Sequence, residues 1–474
     1  MARKSSCPSC KRLRAQVRAL QAQIDSLRAT VVELQERLAS TRKDSSTSSK
    51  PPSSDLVKPL PAPPPEGQAK RSIGGQPGHP RHERPMVGPE LLNGAPHTYV
   101  AEICPQCGHG LEPSPVAPRV VQQIDIETIP IRIEEHRARA GWCPHCRKLH
   151  YAVLPSGIDK GGLVGPRLTT LIAYLKGACH ASYSTIRKFL RDVVSVTISR
   201  GQLAKVIGKV SEALDTPYEA LLENLAAQAC LNVDETGHRE HAEQWWTWCF
   251  HARLYTVFKI DPTRSSAVLV EVLGEEFKGV LGCDYFSAYR RYMREFNVIV
   301  QFCLAHLIRD VKYLTTLPDA QDRAYGERLR EALRKLFGII HRRAELPDWA
   351  FDVRLRAARA EVLQQALTDV PTTRASQNIA ARFVKHGQAY FEFMTTPGVE
   401  PTNNLAEQAI RFVVIDRRIT QGTRGETGRR WCERIWTAIA TCSQQGRSVF
   451  DYLNTAVAAY FNGDDAPSLL PTES

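Results

Sequence analysis

The sequence predicts a multidomain α+β protein, and three observations carry that expectation. A heptad seam fills the first 40 residues, Cys-x-x-Cys pairs follow a Ser/Pro-rich stretch, and near residue 226 the apolar periodicity changes from helical to strand-like. At 474 residues the chain exceeds one compact core, so several folded units joined by linkers are expected. The formal charge is +12, and residues 1–90 hold 16 Lys/Arg against 8 Asp/Glu. A first part this basic points to a polyanion, most simply nucleic acid, although a solvated charged surface has the same composition. No apolar run approaches the roughly 18–20 residues of a membrane span, and the basic N-terminus lacks the apolar stretch of a signal peptide. The expected location is therefore cytoplasmic, with no membrane partner.

Within residues 1–40, Leu13, Val17, Leu20, Ile24, Leu27, Val31, Leu34 and Leu38 step by four and three. Leucine at each d position with Val, Ile, Val and Leu at a favours a parallel two-stranded coil, so a homodimer or higher oligomer through residues 13–38 is expected. The same stripe would suit a helix packed on its own domain. Residues 41–95 (DSSTSSKPPSSD, KPLPAPPPEG, GGQPGHPRHERP) are too rich in Ser, Pro and Gly to bury a core and read as a basic linker.

Residues 96–155 carry Cys104-Pro-Gln-Cys107 and Cys143-Pro-His-Cys146, each able to offer two thiolates to one tetrahedral Zn2+. A structural zinc module is expected, with QQIDIETIPIRIEEHRARAGW supplying strands between the pairs. Cys7 and Cys10 have no second pair nearby and are read as unbound. Residues 160–220 have helical spacing. Two helices around a short break, the second opening with Arg200, Gln202 and Lys205, suit a helix-turn-helix that reads DNA, and equally suit an ordinary helix pair.

From 226 to 305 the expected order is strand, strand, strand, helix, strand. AQACLNVDETGHRE is read as an apolar strand ending at Asp234, and GVLGCDYFSAY as a buried strand delivering Asp284 at its end. A crossover helix makes the first and fourth strands neighbours, so the two aspartates can share divalent cations, and hard oxygen donors suit Mg2+ or Mn2+. Glu407, in EPTNNLAEQAIR, is the candidate third carboxylate of a two-metal site, although Asn404 and Glu407 also fit a helix capping box. Asp234 and Asp284 have alternatives too: Glu235 as the ligand in place of Asp234, and an Asx-turn role for Asp284. Arg411 shares the helical face of Glu407, and the seven arginines from Arg411 to Arg434, among them Arg417 and Arg418, suit DNA phosphates.

LNVDETGHR, GCDYFSAY, CLAHLIRD and EPTNNLAEQAIR, in this order behind the heptads, the linker and the Cys-Pro-x-Cys pairs, resemble the insertion-sequence-66 family of bacterial transposases. The resemblance implies a ribonuclease-H-like α/β catalytic domain whose metal-binding triad is Asp234, Asp284 and Glu407. It also implies a helical insertion over 306–395, completion of the catalytic domain over 396–460, and a tail over 461–474. CLAHLIRD departs from the family's Cys-Trp-Ala-His with two following arginines, which leaves the role of His306 open. The implied activity is DNA transposition on double-stranded element ends and target DNA, at the bacterial nucleoid, with accessory proteins of the same element. A catalytically silent DNA-binding repressor or architectural protein is the alternative.

Overall fold

The computed structural model describes residues 8–41, isolated positions between 86 and 109, and residues 131–471 apart from 146. Two compact units are distinguished, Met1–Pro59 with Glu135–Ser474, and Leu60–Glu134; the elements below belong to the first. Helix α1 (Pro8–Thr41) spans the heptad seam, and Leu13, Val17, Leu20, Ile24, Leu27, Val31 and Leu34 are all exposed along it. Strands β1 (Ala140–Cys143) and β2 (Lys148–Tyr151) form an antiparallel hairpin with Pro144 and His145 in its turn. The expected strands between the cysteine pairs are confined to β1 among the described residues, since 131–139 adopt no regular ladder. Cys104 and Cys146 lie outside the described residues, and the four-cysteine site with them.

A helical layer follows: α2 (Ser156–Gly161), α3 (Pro166–Gly177), α4 (Tyr183–Asp192), α5 (Arg200–Ala213) and α6 (Asp215–Glu223). Serine caps start two of these helices, Ser182 accepting from Thr185 N and Ser199 from Gln202 N, each at 3.1 Å. Seven residues, 193–199, separate α4 from α5, a longer break than the three or four of a helix-turn-helix. Helix α5 buries Leu203, Val206, Ile207 and Val210 against its neighbours. Arg200 donates to Ser184 Oγ of α4 at 2.7 Å, while Lys205 is exposed and Gln202 half-buried.

The sheet is built from β3 (Cys230–Glu240), β4 (Glu243–His251), β5 (Thr256–Asp261), β6 (Val280–Cys283) and β7 (Ile299–Phe302), in the order β5-β4-β3-β6-β7. The first three form an antiparallel meander; helix α7 (Ser266–Leu273) then crosses over to place β6 parallel to β3, and α8 (Ser287–Phe296) does the same between β6 and β7. Strand β3 does not end at Asp234. Its parallel ladder with β6 stops at Asn232 opposite Gly282, but β4 pairs with it as far as Glu240, so DETGHRE stays extended beyond the expected strand end. Trp248 is fully buried in the sheet, whereas Trp245 and Trp246 are half-buried under the guanidinium groups of Arg429 and Arg264.

Helix α9 (Leu304–Leu314) leads into α10 (Ala320–His341), α11 (Asp348–Leu367) and α12 (Arg374–His386), which pack on one another and on α9. Helix α13 (Asn404–Thr420) then returns across β3 and β4, followed by α14 (Glu426–Gln444) and α15 (Val449–Asn462). Helix α14 covers the edge strand β5. Glu433, Thr437 and Thr441, spaced by four, accept the outward N–H groups of Ile260, Phe258 and Thr256 at 2.7, 3.0 and 3.2 Å. This side-chain ladder satisfies an edge that would otherwise be open to pairing. The same helix and α15 pack against α3 and α5, which joins the helical layer to the sheet.

Candidate active site

Continuing the β3–β6 register two residues past Asn232 and Gly282 brings Asp234 level with Asp284 at the carboxyl end of β6. Side chains alternate along a strand, so Asp234 and Glu235 point to opposite faces. Glu235 meets α8: Tyr289 donates its hydroxyl to Oε2, while Arg264 donates to Oε1 from Nε at 2.8 Å and from Nη2 at 2.6 Å. Two residues beyond Asp234, Thr236 accepts from Arg417 of α13 at 3.1 Å, which marks the face of Asp234 as the α13 face. Glu235, weighed above as a ligand, is thus held in a buried ion pair on the other side of the sheet.

Glu407 lies in the first turn of α13, but the capping box is absent. The N-cap is Asn403, no side chain caps the helix, and the Asn403 N–H is taken by Cys303 Sγ at 3.1 Å. Asn403 instead uses its amide Nδ2 to bind Val233 O at 2.8 Å, a tie from the start of α13 to the residue preceding Asp234. Glu407 Oε1 stands 3.4 Å from Arg309 Nη2 and 3.5 Å from His306 Nδ1. The His306 approach lacks hydrogen-bond geometry, and its buried Nδ1 has no partner. His306 and Arg309 are three residues apart on α9 and so share a face. They are functional candidates that the sequence reading did not secure, although the CLAHLIRD block held the signal.

The electrostatics of this end of the sheet are those of crowded carboxylates. The Asp234 carboxyl is raised well above the usual range by burial, then by Glu235, Asp284 and Glu407. Burial raises Asp284 as well, against the Phe286 N–H that its Oδ1 accepts at 2.8 Å and against the charge of Arg264. Asp284 is therefore an Asx-turn residue as well as a site residue, and the turn occupies one of its oxygens. Glu235 is raised chiefly by burial and by Asp284, with Arg264 and Tyr289 opposing. His306 is pushed down to about 3 by burial and the nearby Arg309 and Arg382, so its imidazole is neutral at pH 7.

Neighbouring acids that resist ionisation, as Asp234 and Asp284 do, are what a divalent cation relieves, and with the nearby Glu407 they offer hard oxygen donors that suit Mg2+ or Mn2+. Among the described residues, one set of three donors lies wholly within 4.8 Å, namely Cys303, His306 and Glu407. Its softer atoms suit a metal such as Zn2+ better than Mg2+. The wall of the site is fixed by the helical segment. Asp310 of α9 pairs with Arg382 of α12 at 2.7 Å, and the Arg382 guanidinium lies 4.6 Å from the Tyr285 ring centre, next to Asp284.

A family described as "Transposase IS66 family" matches residues 161–430, more than half of the chain. The chain belongs to this family. A second family, of unknown function (DUF6444), matches residues 3–85. An uncharacterised protein of Sinorhizobium fredii, y4qI, is 24% identical over an alignment of 353 positions that covers 68% of this chain and 64% of that protein. The chain thus spans under two thirds of that relative's length. The matched IS66 region runs from the helical layer through the sheet, α9 to α12 and α13, and so contains Asp234, Asp284 and Glu407. No described helix is long and apolar enough to cross a membrane.

Proposed function

We propose that the chain is a DNA transposase that cleaves phosphodiester bonds at the ends of its insertion element and joins the freed 3′-hydroxyls to target DNA. The observations that support this reading are the register that sets Asp234 level with Asp284 and the charges of Glu235, Asp284 and Glu407 that act on Asp234, within a chain of the IS66 family. A sheet ordered third, second, first, fourth, fifth strand, with the second antiparallel to the rest, supports a ribonuclease-H-like core. Mg2+ or Mn2+, when bound, would neutralise the carboxylates and the phosphate and acidify the attacking water or hydroxyl.

The chain's own groups have distinct tasks in this reading. Asp234, Asp284 and Glu407 supply the oxygens that hold the cations. Arg309 and the Asn403 tie orient Glu407 toward β3, and Arg264 with Tyr289 keeps Glu235 out of the site. Phosphoryl transfer of this kind gains most from positioning and charge neutralisation, with no covalent enzyme intermediate. The exposed apolar seam of α1 supports pairing of two protomers so that two DNA ends are handled together. Arg411 and Arg418 on α13, and Arg200 and Lys205 at the start of α5, supply further cationic contacts to DNA, and Gln202 beside them a neutral polar one. Cys104, Cys107, Cys143 and Cys146 carry the structural zinc of this reading on the strength of their spacing.

The test is cleavage and strand joining on labelled duplexes of the element's terminal repeats in Mg2+ or Mn2+, comparing wild type with Asp284→Asn. Loss of both products by a folded, DNA-binding variant supports the reading. Unchanged products from the variant would refute it, and wild-type binding without either product would make the chain a silent DNA-binding protein.

A further inference from the structure

The far ends of β3 and α13 meet in a second feature of opposite sign. A cleft of about 730 Å³ is lined there by Arg239, His241, Arg417, Arg418, Thr423 and Arg424, with no acidic residue in its wall. Its floor is braced by the segment after α13. Thr423 N donates to Arg239 O at 2.8 Å, His241 N donates to Thr423 O at 3.2 Å, and Glu240 and Thr423 form a bridge parallel to β3. Gly422 has φ +94°, and a Cβ there would lie 2.2 Å from Arg239 O, so the segment sits against the strand as closely as glycine allows.

Two acids adjoin the lining arginines in sequence: Asp416, before Arg417, is buried against His180 at 3.1 Å, and Glu240, after Arg239, is turned inward and occupied. Its carboxylate is buried, accepting from Gly425 N at 2.8 Å and from the Thr423 hydroxyl, whose oxygen also lies 2.8 Å from His238 Nε2. The arginines face the cleft instead. The hydrogen bonds of Arg239 and Arg417 go to Ala242 O and to the Thr236 hydroxyl, neither of them a carboxylate. Arg417 loses basicity through burial and the adjacent Arg418, the mark of crowded cations that an anion would relieve.

Both walls lead back to the carboxylates over similar lengths. From Glu407 to Arg417 is ten residues of helix, about 15 Å at 1.5 Å per residue. From Asp234 to Arg239 is five residues of strand, about 17 Å at roughly 3.3 Å per residue. On a duplex rising 3.4 Å per base pair this corresponds to about four or five pairs.

We propose that this cleft is a phosphate subsite for duplex DNA, holding the backbone about four or five base pairs from the bond at Asp234, Asp284 and Glu407. The distance to the reacting bond rests on the transposase reading; the affinity for duplex DNA does not. The experiment titrates full-length protein with a 30-base-pair duplex over a range of salt concentrations. It compares wild type, the pair Arg239→Gln/Arg424→Gln, and the pair Arg239→Lys/Arg424→Lys, with inorganic phosphate as competitor.

Each lost phosphate contact lowers the slope of log affinity on log salt by about 0.9, so the glutamine pair should lose close to two units of slope while the lysine pair keeps wild-type slope. A glutamine pair that melts like wild type and keeps its slope overturns the proposal. Inorganic phosphate binding that the glutamine pair abolishes, with the DNA slope unmoved, overturns it too, since the cleft then takes a small anion. A parallel cleavage assay of Glu407→Gln keeps the two readings apart. If that variant still cuts while the glutamine pair loses slope, the cleft stands and the carboxylate assignment falls.

Discussion

On one face of β3, Glu235 meets an arginine and a tyrosine; on the other, one residue earlier, Asp234 lies under the charges of Glu235, Asp284 and Glu407. Both acids are raised by burial and by the charge of Asp284, but a fixed guanidinium and a phenol oppose the rise at Glu235, whereas at Asp234 the Glu235 N–H opposes it. The difference separates an acid that serves the fold from one suited to a mobile cation. A buried carboxylate with its own counter-charge is complete. One facing two further carboxylates lowers stability until a cation arrives, and stability is commonly forgone at functional sites in this way.

The comparison breaks most visibly at Glu235. Glu235→Ala strands the Arg264 guanidinium and the Tyr289 hydroxyl, and is expected to cost about 3 kcal/mol in urea unfolding, at the low end for a broken buried pair because Arg264 is 35% exposed. A loss below about 0.5 kcal/mol would show that the pair does not stabilise the fold.

Asn403→Ala removes the tie between α13 and Val233 O. It is expected to lower Mg2+ affinity by roughly 10–100-fold, as loss of an orienting group does, with a stability cost of about 1 kcal/mol. Calorimetric titration would check this, and unaltered affinity would remove Asn403 from the site's support.

Asp234→Asn is expected to act in the opposite direction from Glu235→Ala. A carboxyl raised in the folded state favours the fold below its unfolded pKa, and that contribution is lost as pH rises through the folded value. At pH 7 without metal, the asparagine variant should therefore be more stable than wild type, and the gap should close toward pH 4, where both side chains are neutral in the folded state. Added Mg2+ should raise the melting temperature of wild type and leave the variant unmoved. A variant less stable than wild type at pH 7 would contradict the crowding argument.

Much of the sheet was readable because β-branched and aromatic residues cluster in β4 and β5 and the run ending at Cys283 is short and apolar. The crossover rule then predicted that β3 and β6 would be neighbours, as they are. The end of β3 was misread because Asp, Thr and Gly resemble a turn locally, and only pairing with β4 carries the strand on to Glu240. Alternation places Asp234 and Glu235 on opposite faces from sequence alone, but which face meets α13 is a tertiary fact. The capping box failed for the same reason: Asn403 spends its groups on Cys303 and Val233, partners 100 and 170 residues away. The α14 ladder of Glu433, Thr437 and Thr441 has a legible spacing of four, yet it acquires meaning only beside the N–H groups of β5.

In the proposed function Glu407 is a metal-holding carboxylate at the reacting bond and not helix punctuation. The most direct measurement is cleavage and joining of terminal-repeat duplexes by Glu407→Gln beside wild type, since glutamine keeps the shape and removes the charge. The variant is expected to fold, to bind the duplex with wild-type affinity and to lose product formation by on the order of 10²-fold or more. Cleavage and joining at wild-type rates would contradict that assignment.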